Sequence, residues 1–229
     1  MSRMFRKEIE KGLALMCEKI GFKRNKYSFI KKIDDEVYAT LSFGFVSYQL
    51  KGHIYVDVSV GVSHTKLNDL HSRLSGYSNN NRLISPTLHQ QIGYLMPEDE
   101  YKEWDFVENM DNSKVYEDLL QCIQTYGFPY QQKLKQFDNI FEAYEKRFSG
   151  VLNIHRDKYL PIFYYLKGEK EKGLKVIEEA IERESKPLSK EEIDRFSSSV
   201  GPNGEVFIRG PVGVDASYLE FVERYKSLK

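Results

Sequence analysis

A chain of 229 residues with 34 Lys and Arg against 34 Asp and Glu carries no net field that would draw it to nucleic acid or to an anionic lipid surface, which leaves only a local patch for either. The length holds one large domain or two small ones, with a core that needs no metal or disulfide staple. No apolar run approaches the ~18 residues that span a bilayer. Lys7, Glu8, Glu10 and Lys11 interrupt any leader-like stretch, and Cys17 and Cys122 make no disulfide framework, so the expectation is a soluble cytoplasmic protein with reduced thiols.

In chain order, Ser2 reads as an N-cap and Phe5, Ile9, Leu13, Met16 and Ile20 recur at helical spacing, which predicts a helix over about residues 3–20. Gly21 stands where a left-handed C-cap belongs, and Phe22 folds back on the last turn. Tyr27 to Ile33 reads as a strand turned by Asp34-Asp35. Val37, Ala39, Leu41, Phe43 and Phe45 then alternate with polar residues, and so do Ile54, Val56, Val58, Val60 and Val62 after a loop at Ser47 to Gly52. A period of two means strands with one dry face, and the register is strongly specified because a one-residue slip would expose every valine.

His64 to Leu74 reads as a short helix, residues 75–82 as a surface loop, and 83–95 as one or two short strands. Trp104 and Phe106 anchor the following turn to the core. Beyond about residue 112 the pattern is helical. Val115, Leu119, Leu120, Ile123 and Tyr126 form a stripe ended by Gly127, and Phe137, Ile140, Phe141, Tyr144 and Phe148 form another ended by Gly150. A helix pair at 157–167 and 169–184 hinges at Gly168, and Pro161 fits only in a first turn. After Pro187 come a polar helix near 189–198, a turn at 201–204, a short strand at 206–208 and a last helix at 216–227 with Leu219, Val222 and Tyr225 inward.

This is an α+β arrangement: an antiparallel sheet with an N-terminal helix packed on its valine face, over residues 1–130, followed by a mainly helical C-terminal part, 131–229, packed closely enough that the two read as one continuous domain or as two. The opposite sheet face carries Tyr38, Thr40 and Ser42 on one strand and Tyr55, Asp57 and Ser59 on the next. If the helices cover only the valine side, these six are the candidate binding residues. No second carboxylate is set beside Asp57 by sequence, so paired acid–base work has no support.

Other motifs point to ordinary roles. His64 and His71 are seven apart on the predicted helix, whereas zinc ligands on a helix sit three or four apart, so both read as solvated surface histidines. Gly201 to Gly213 has four glycines and Arg209 but no Gly-Lys-Ser/Thr ending. The basic runs Lys23-Arg24-Asn25-Lys26 and Lys31-Lys32 interleave with Tyr27 and Phe29, a pattern that can bind single-stranded nucleic acid, but acidic residues follow and a lysine-guarded sheet edge accounts for them. Nothing in the sequence sets a cofactor, a metal site or a catalytic residue.

Helix 1, the Gly21-Phe22-Lys23 break, the aromatic-rich strands, Trp104 after an acidic stretch and Tyr126-Gly127-Phe128-Pro129 together resemble a family of small bacterial proteins of unknown function with immunity-protein-like members, over about residues 3–145. The pair at 157–184 resembles one tetratricopeptide-like hairpin, with Tyr165-Leu166-Lys167-Gly168 at its turn and Ala180 inside. Some members of that family look like immunity proteins that neutralise toxins, so the resemblance implies an immunity-like role as one option, and it supplies no catalytic residues. The expected function is a non-enzymatic protein-binding module. The alternative is an enzyme or small-molecule binder with a pocket between the sheet and the C-terminal helices.

Overall fold

The computed structural model describes residues 3–77, 85–147, 153–186 and 214–229. The Ser2 cap, much of the loop at 75–82, Phe148, Gly150 and every element expected between Pro187 and Gly213 lie outside these residues. The described residues fall into two compact units: 3–70 with 85–147, and 71–77 with 153–186 and 214–229.

The first unit is α+β. Helix α1 (Arg3–Lys19) is followed by strands β1 (Lys23–Asn25), β2 (Ser28–Lys32), β3 (Val37–Val46) and β4 (His53–His64), helix α2 (Thr65–Ser75), β5 (Leu88–Gln91), a 3-10 turn (Ile92–Leu95) and β6 (Glu103–Val107). Every pairing is antiparallel, in the order β1-β2-β3-β4-β5. β6 shares the outer edge of β4 with β5: β5 pairs with Ser59 to Val62, and β6 with His53 to Asp57.

The alternation read from the sequence sets the layers. Ile54, Val56, Val58, Val60 and Val62 are at most 1% exposed, and the first four share one cluster with Phe5, Ile9, Leu13, Met16 and Cys17 of α1. At roughly 1.5–3 kcal/mol per buried aliphatic side chain, slipping β4 by one residue would cost on the order of 10 kcal/mol. Helix α1 ends as its sequence requires. Gly21 takes a φ of 85°, its N–H donates to Glu18 O, and Phe22 N–H donates to Cys17 O at 2.9 Å, which puts the Phe22 ring into the core. Gly21→Ala has room for its methyl but not the backbone angle. It should cost about 1 kcal/mol, read as a lower midpoint in urea unfolding with an unchanged slope.

The strand expected at Tyr27 to Ile33 is β2, and a short strand that the sequence reading did not include, β1, turns back on it through Lys26 and Tyr27. Three expectations for this unit are corrected. His64 closes β4 instead of opening a helix: it pairs with Val37 and is buried, so it is not a solvated histidine. Trp104 and Phe106 are strand residues, alternating with Glu103 and Asp105 in β6. Gly127 does not end its helix. Helix α3 (Ser113–Cys122) runs through a π turn (Ile123–Gly127) into α4 (Phe128–Leu134), and α5 (Phe137–Glu145) follows. A side chain at 127 would press on Val60 Cγ1 at 3.2 Å, and the widened turn comes just before Pro129, which has no N–H to give.

The second unit holds α6 (Asn153–Leu166), α7 (Lys170–Ser185) and α8 (Ala216–Lys226), with the last residues of α2. Gly168, at a φ of 76°, turns α6 into α7 as expected. Pro161 lies well inside α6, not in a first turn. A proline there leaves the carbonyl four residues back without its donor, and the Tyr218 hydroxyl supplies one to Asp157 O at 3.3 Å. The Tyr225 hydroxyl donates to Pro161 O at 3.0 Å. In α8 the inward stripe is Tyr218, Phe221, Val222 and Tyr225, whereas Leu219 faces water at 45% exposure. The i, i+3, i+4, i+7 spacing places 218, not 219, on the core side.

Candidate functional site

The six residues picked from the alternation share one face of β3 and β4 but do not form one site. Antiparallel register sets Ser42 opposite Ser59, Thr40 opposite Gly61, Tyr38 opposite Ser63, Asp57 opposite Gly44 and Tyr55 opposite Val46. Tyr38 therefore stands at the far end of the ladder from Tyr55. Thr40 is only 4% exposed and offers no contact surface. It sits where β5 comes so close to Gly61 that an added Cβ would lie 2.2 Å from Leu88 O, and its own carbonyl accepts from Gln131 Nε2 at 2.9 Å. Tyr38, Ser42, Tyr55, Asp57 and Ser59 are half-buried.

What gathers around Tyr55 and Asp57 comes mostly from elsewhere in the chain. β6 sets Glu103 directly opposite Asp57, and Asp105 opposite Tyr55. The Tyr48 hydroxyl, from the β3–β4 loop, donates to both Glu103 oxygens at 2.8–2.9 Å, and the Tyr101 hydroxyl donates to Glu103 Oε1 at 3.0 Å. The Tyr48 and Tyr55 rings lie 5.1 Å apart, and His53 Nδ1 is 3.0 Å from the Asp105 carboxylate. Gly44 supplies the space: a side chain there would meet Asp57 Oδ2 at 2.1 Å, so the carboxylate leans across the glycine. The face thus holds two opposed carboxylates under three phenol rings, with Tyr48 and Tyr101 about half exposed.

The electrostatics follow from this crowding. Burial pushes the Asp57 carboxyl above its usual range. The Tyr101 hydroxyl opposes that shift and the Glu103 charge adds to it. The hydrogen bond to Glu103 holds the Tyr48 phenol protonated to higher pH. Burial does the same to Tyr101, helped by Glu103. The cluster is a set of acceptors with protonated phenol donors, and its only basic neighbour in these contacts is His53.

β6 is held in place from behind. Trp104 Nε1 donates to Asp118 of α3 at 2.7 Å, and the Lys102 ammonium lies over the indole at 4.9 Å and 3.4 Å from the same carboxylate. These contacts fix the strand that carries Glu103. Sequence reading missed Glu103 and Asp105 although the signal was present: Glu103-Trp104-Asp105-Phe106 alternates polar with apolar, as a half-buried strand does. Tyr48 and Tyr101 sit on loops and left no periodic trace.

Elsewhere in the first unit, a shallow cleft of about 270 Å³ opens beside Leu88, Tyr130, Leu134 and Ala143. Of the charged groups at its rim, Lys146 is paired with Glu142. His64 packs edge-on against Phe137, and burial lowers its pKa. In the second unit His71 stacks on Tyr159 at 4.6 Å, so it is no more a solvated histidine than His64. Among the described residues, no three His, Cys, Asp or Glu side chains are grouped so as to hold a metal ion, and no helix is long and apolar enough to cross a membrane. Cys17 and Cys122 are buried free thiols. Comparison of the chain with protein-family models, with curated proteins and with solved structures finds no match.

Proposed function

We propose that this chain is a non-enzymatic protein-binding module that docks its partner on the tyrosine and carboxylate face of β4 and β6. The carrying observation is the opposition of Asp57 and Glu103 beneath Tyr48, Tyr55 and Tyr101, on the side of the sheet away from the valine core. Tyrosines supply large contact area at low cost in side-chain entropy, and carboxylates select a partner of complementary charge, so the fitting partner presents lysine or arginine. The resemblance to immunity-like bacterial proteins favours a toxin as that partner, met in the cytoplasm.

The test is affinity capture with the full chain, followed by the Tyr55→Ala/Asp57→Asn variant. Capture of one specific partner that the double variant loses, by at least tenfold in affinity, supports the reading. Equal capture by both proteins removes this face from the function. The second reading, an enzyme, draws on one observation: a carboxyl raised by burial beside a second carboxylate is the arrangement that acid–base chemistry uses.

A further inference from the structure

On the opposite side of the sheet, at the end where α1 meets the β1–β2 hairpin, the aromatic core is left uncovered. Ala39 and Leu41 of β3 are at most 1% exposed, but Phe43 and Phe45 farther along the strand are only half-buried. Together with Tyr27 they line a cleft of about 160 Å³. Tyr27 is 91% exposed, at the tip of a hairpin whose preceding residue, Lys26, takes a left-handed φ of 51°. Edge protection accounts for lysines on β1; it gives no reason for a phenol ring in solvent.

Three cations surround the aromatic surface. Arg6 lies 4.7 Å above the Phe45 ring and is paired with Glu10, whose carboxylate also lines the cleft. Arg24 and Lys26 form no ion pair among those found for the described residues. Flat rings and unpaired cations along one groove match the alternation of base and phosphate in a single strand, where stacking tolerates any sequence and the cations follow the backbone. The balanced net charge of the whole chain does not exclude such a local patch.

We propose that this cleft binds single-stranded nucleic acid, with bases stacked on Tyr27 and against Phe43 and the Arg6–Phe45 pair, and phosphates against Arg24 and Lys26. The test is fluorescence anisotropy of a 5′-labelled oligothymidylate with the full chain, across a salt series. Binding should weaken with salt with a log–log slope of about −2, for two to three phosphates neutralised. Tyr27→Ala removes only an exposed ring, so the protein stays folded, and affinity should fall about tenfold. The Arg24→Glu/Lys26→Glu variant should flatten the salt dependence. Absence of binding at low salt overturns the proposal, and so does binding that Tyr27→Ala leaves unchanged. Displacement of the oligonucleotide by oligoglutamate of equal charge also overturns it, since the groove would then read charge alone, as for an acidic protein segment.

Discussion

Gly93→Ala should lower stability by about 3 kcal/mol and disrupt the candidate face, although residue 93 is not one of its tyrosines or carboxylates. Gly93 is buried in the 3-10 turn, where a Cβ would sit 2.1 Å from Glu100 O and 2.8 Å from Lys102 N. Both are backbone atoms, so no side-chain rotation relieves the clash. Overpacking of this kind costs about 1–3 kcal/mol, and more where the obstacle is main chain. The segment that must move, Glu100 to Lys102, carries Tyr101 and leads directly into Glu103. Gln91 clamps it from the other side: its carbonyl oxygen accepts from Gly93 N–H while its amide donates to Lys102 O. Thermal unfolding of Gly93→Ala should show a Tm lower by on the order of 10 °C. Capture of the partner should fall even where the variant remains folded. Gly21→Ala is the control, since its penalty is conformational, about a third as large, and distant from the face. Losses of binding that scale with the loss of stability in the two variants would show that binding follows stability alone.

Acidification from pH 6.5 to 4 should destabilise the second unit by up to about 3 kcal/mol through His71. Burial pushes this imidazole down to about 4, and the nearby charges of Lys158 and His155 push in the same direction. The unfolded chain takes up its proton near pH 6.5 and the folded chain does not, so unfolding becomes easier as pH falls through 6.5 and the loss levels off below 4. The stability is fully present above pH 6.5. His71 stacks on Tyr159 and meets Ser75 Oγ at 3.4 Å, so His71→Phe keeps the ring contact and removes the titration. Urea unfolding between pH 4 and 7 should show a flatter profile for His71→Phe than for the parent chain. An unchanged slope would assign the acid sensitivity to other groups, such as His155, which burial also lowers.

The strands were legible where one face is dry. Ile54 to Val62 announced a face, a register and a partner helix, and the Gly21-Phe22 pair announced the cap of α1. Periodicity failed where a local signal was overruled by something distant. Gly127 and Pro129 look like a stop until the π turn on Val60 is known, and Pro161 looks like a start until Tyr218 is found beside Asp157. His64 was misplaced because Thr65 to Leu74 continues the helical pattern after it, while its pairing with Val37 is decided 27 residues upstream. The candidate face divides in the same way. Asp57 and Tyr55 were legible from β4 alone, but Glu103, Tyr48 and Tyr101 become its neighbours only when β6 closes on the strand edge, a juxtaposition that no window of sequence contains.

The phenol at Tyr218 does for α6 what the helix cannot do for itself, and it arrives from 61 residues away. Helices usually complete their own ladder of backbone bonds within about a microsecond and wait for packing afterwards. Here one rung is borrowed, so α6 becomes whole only when α8 docks. The order of assembly in this unit is thereby written into a single proline: the carboxyl-terminal helix is a structural cofactor of the one that precedes it, and anything that unseats α8 opens α6 at its midpoint instead of fraying it from an end.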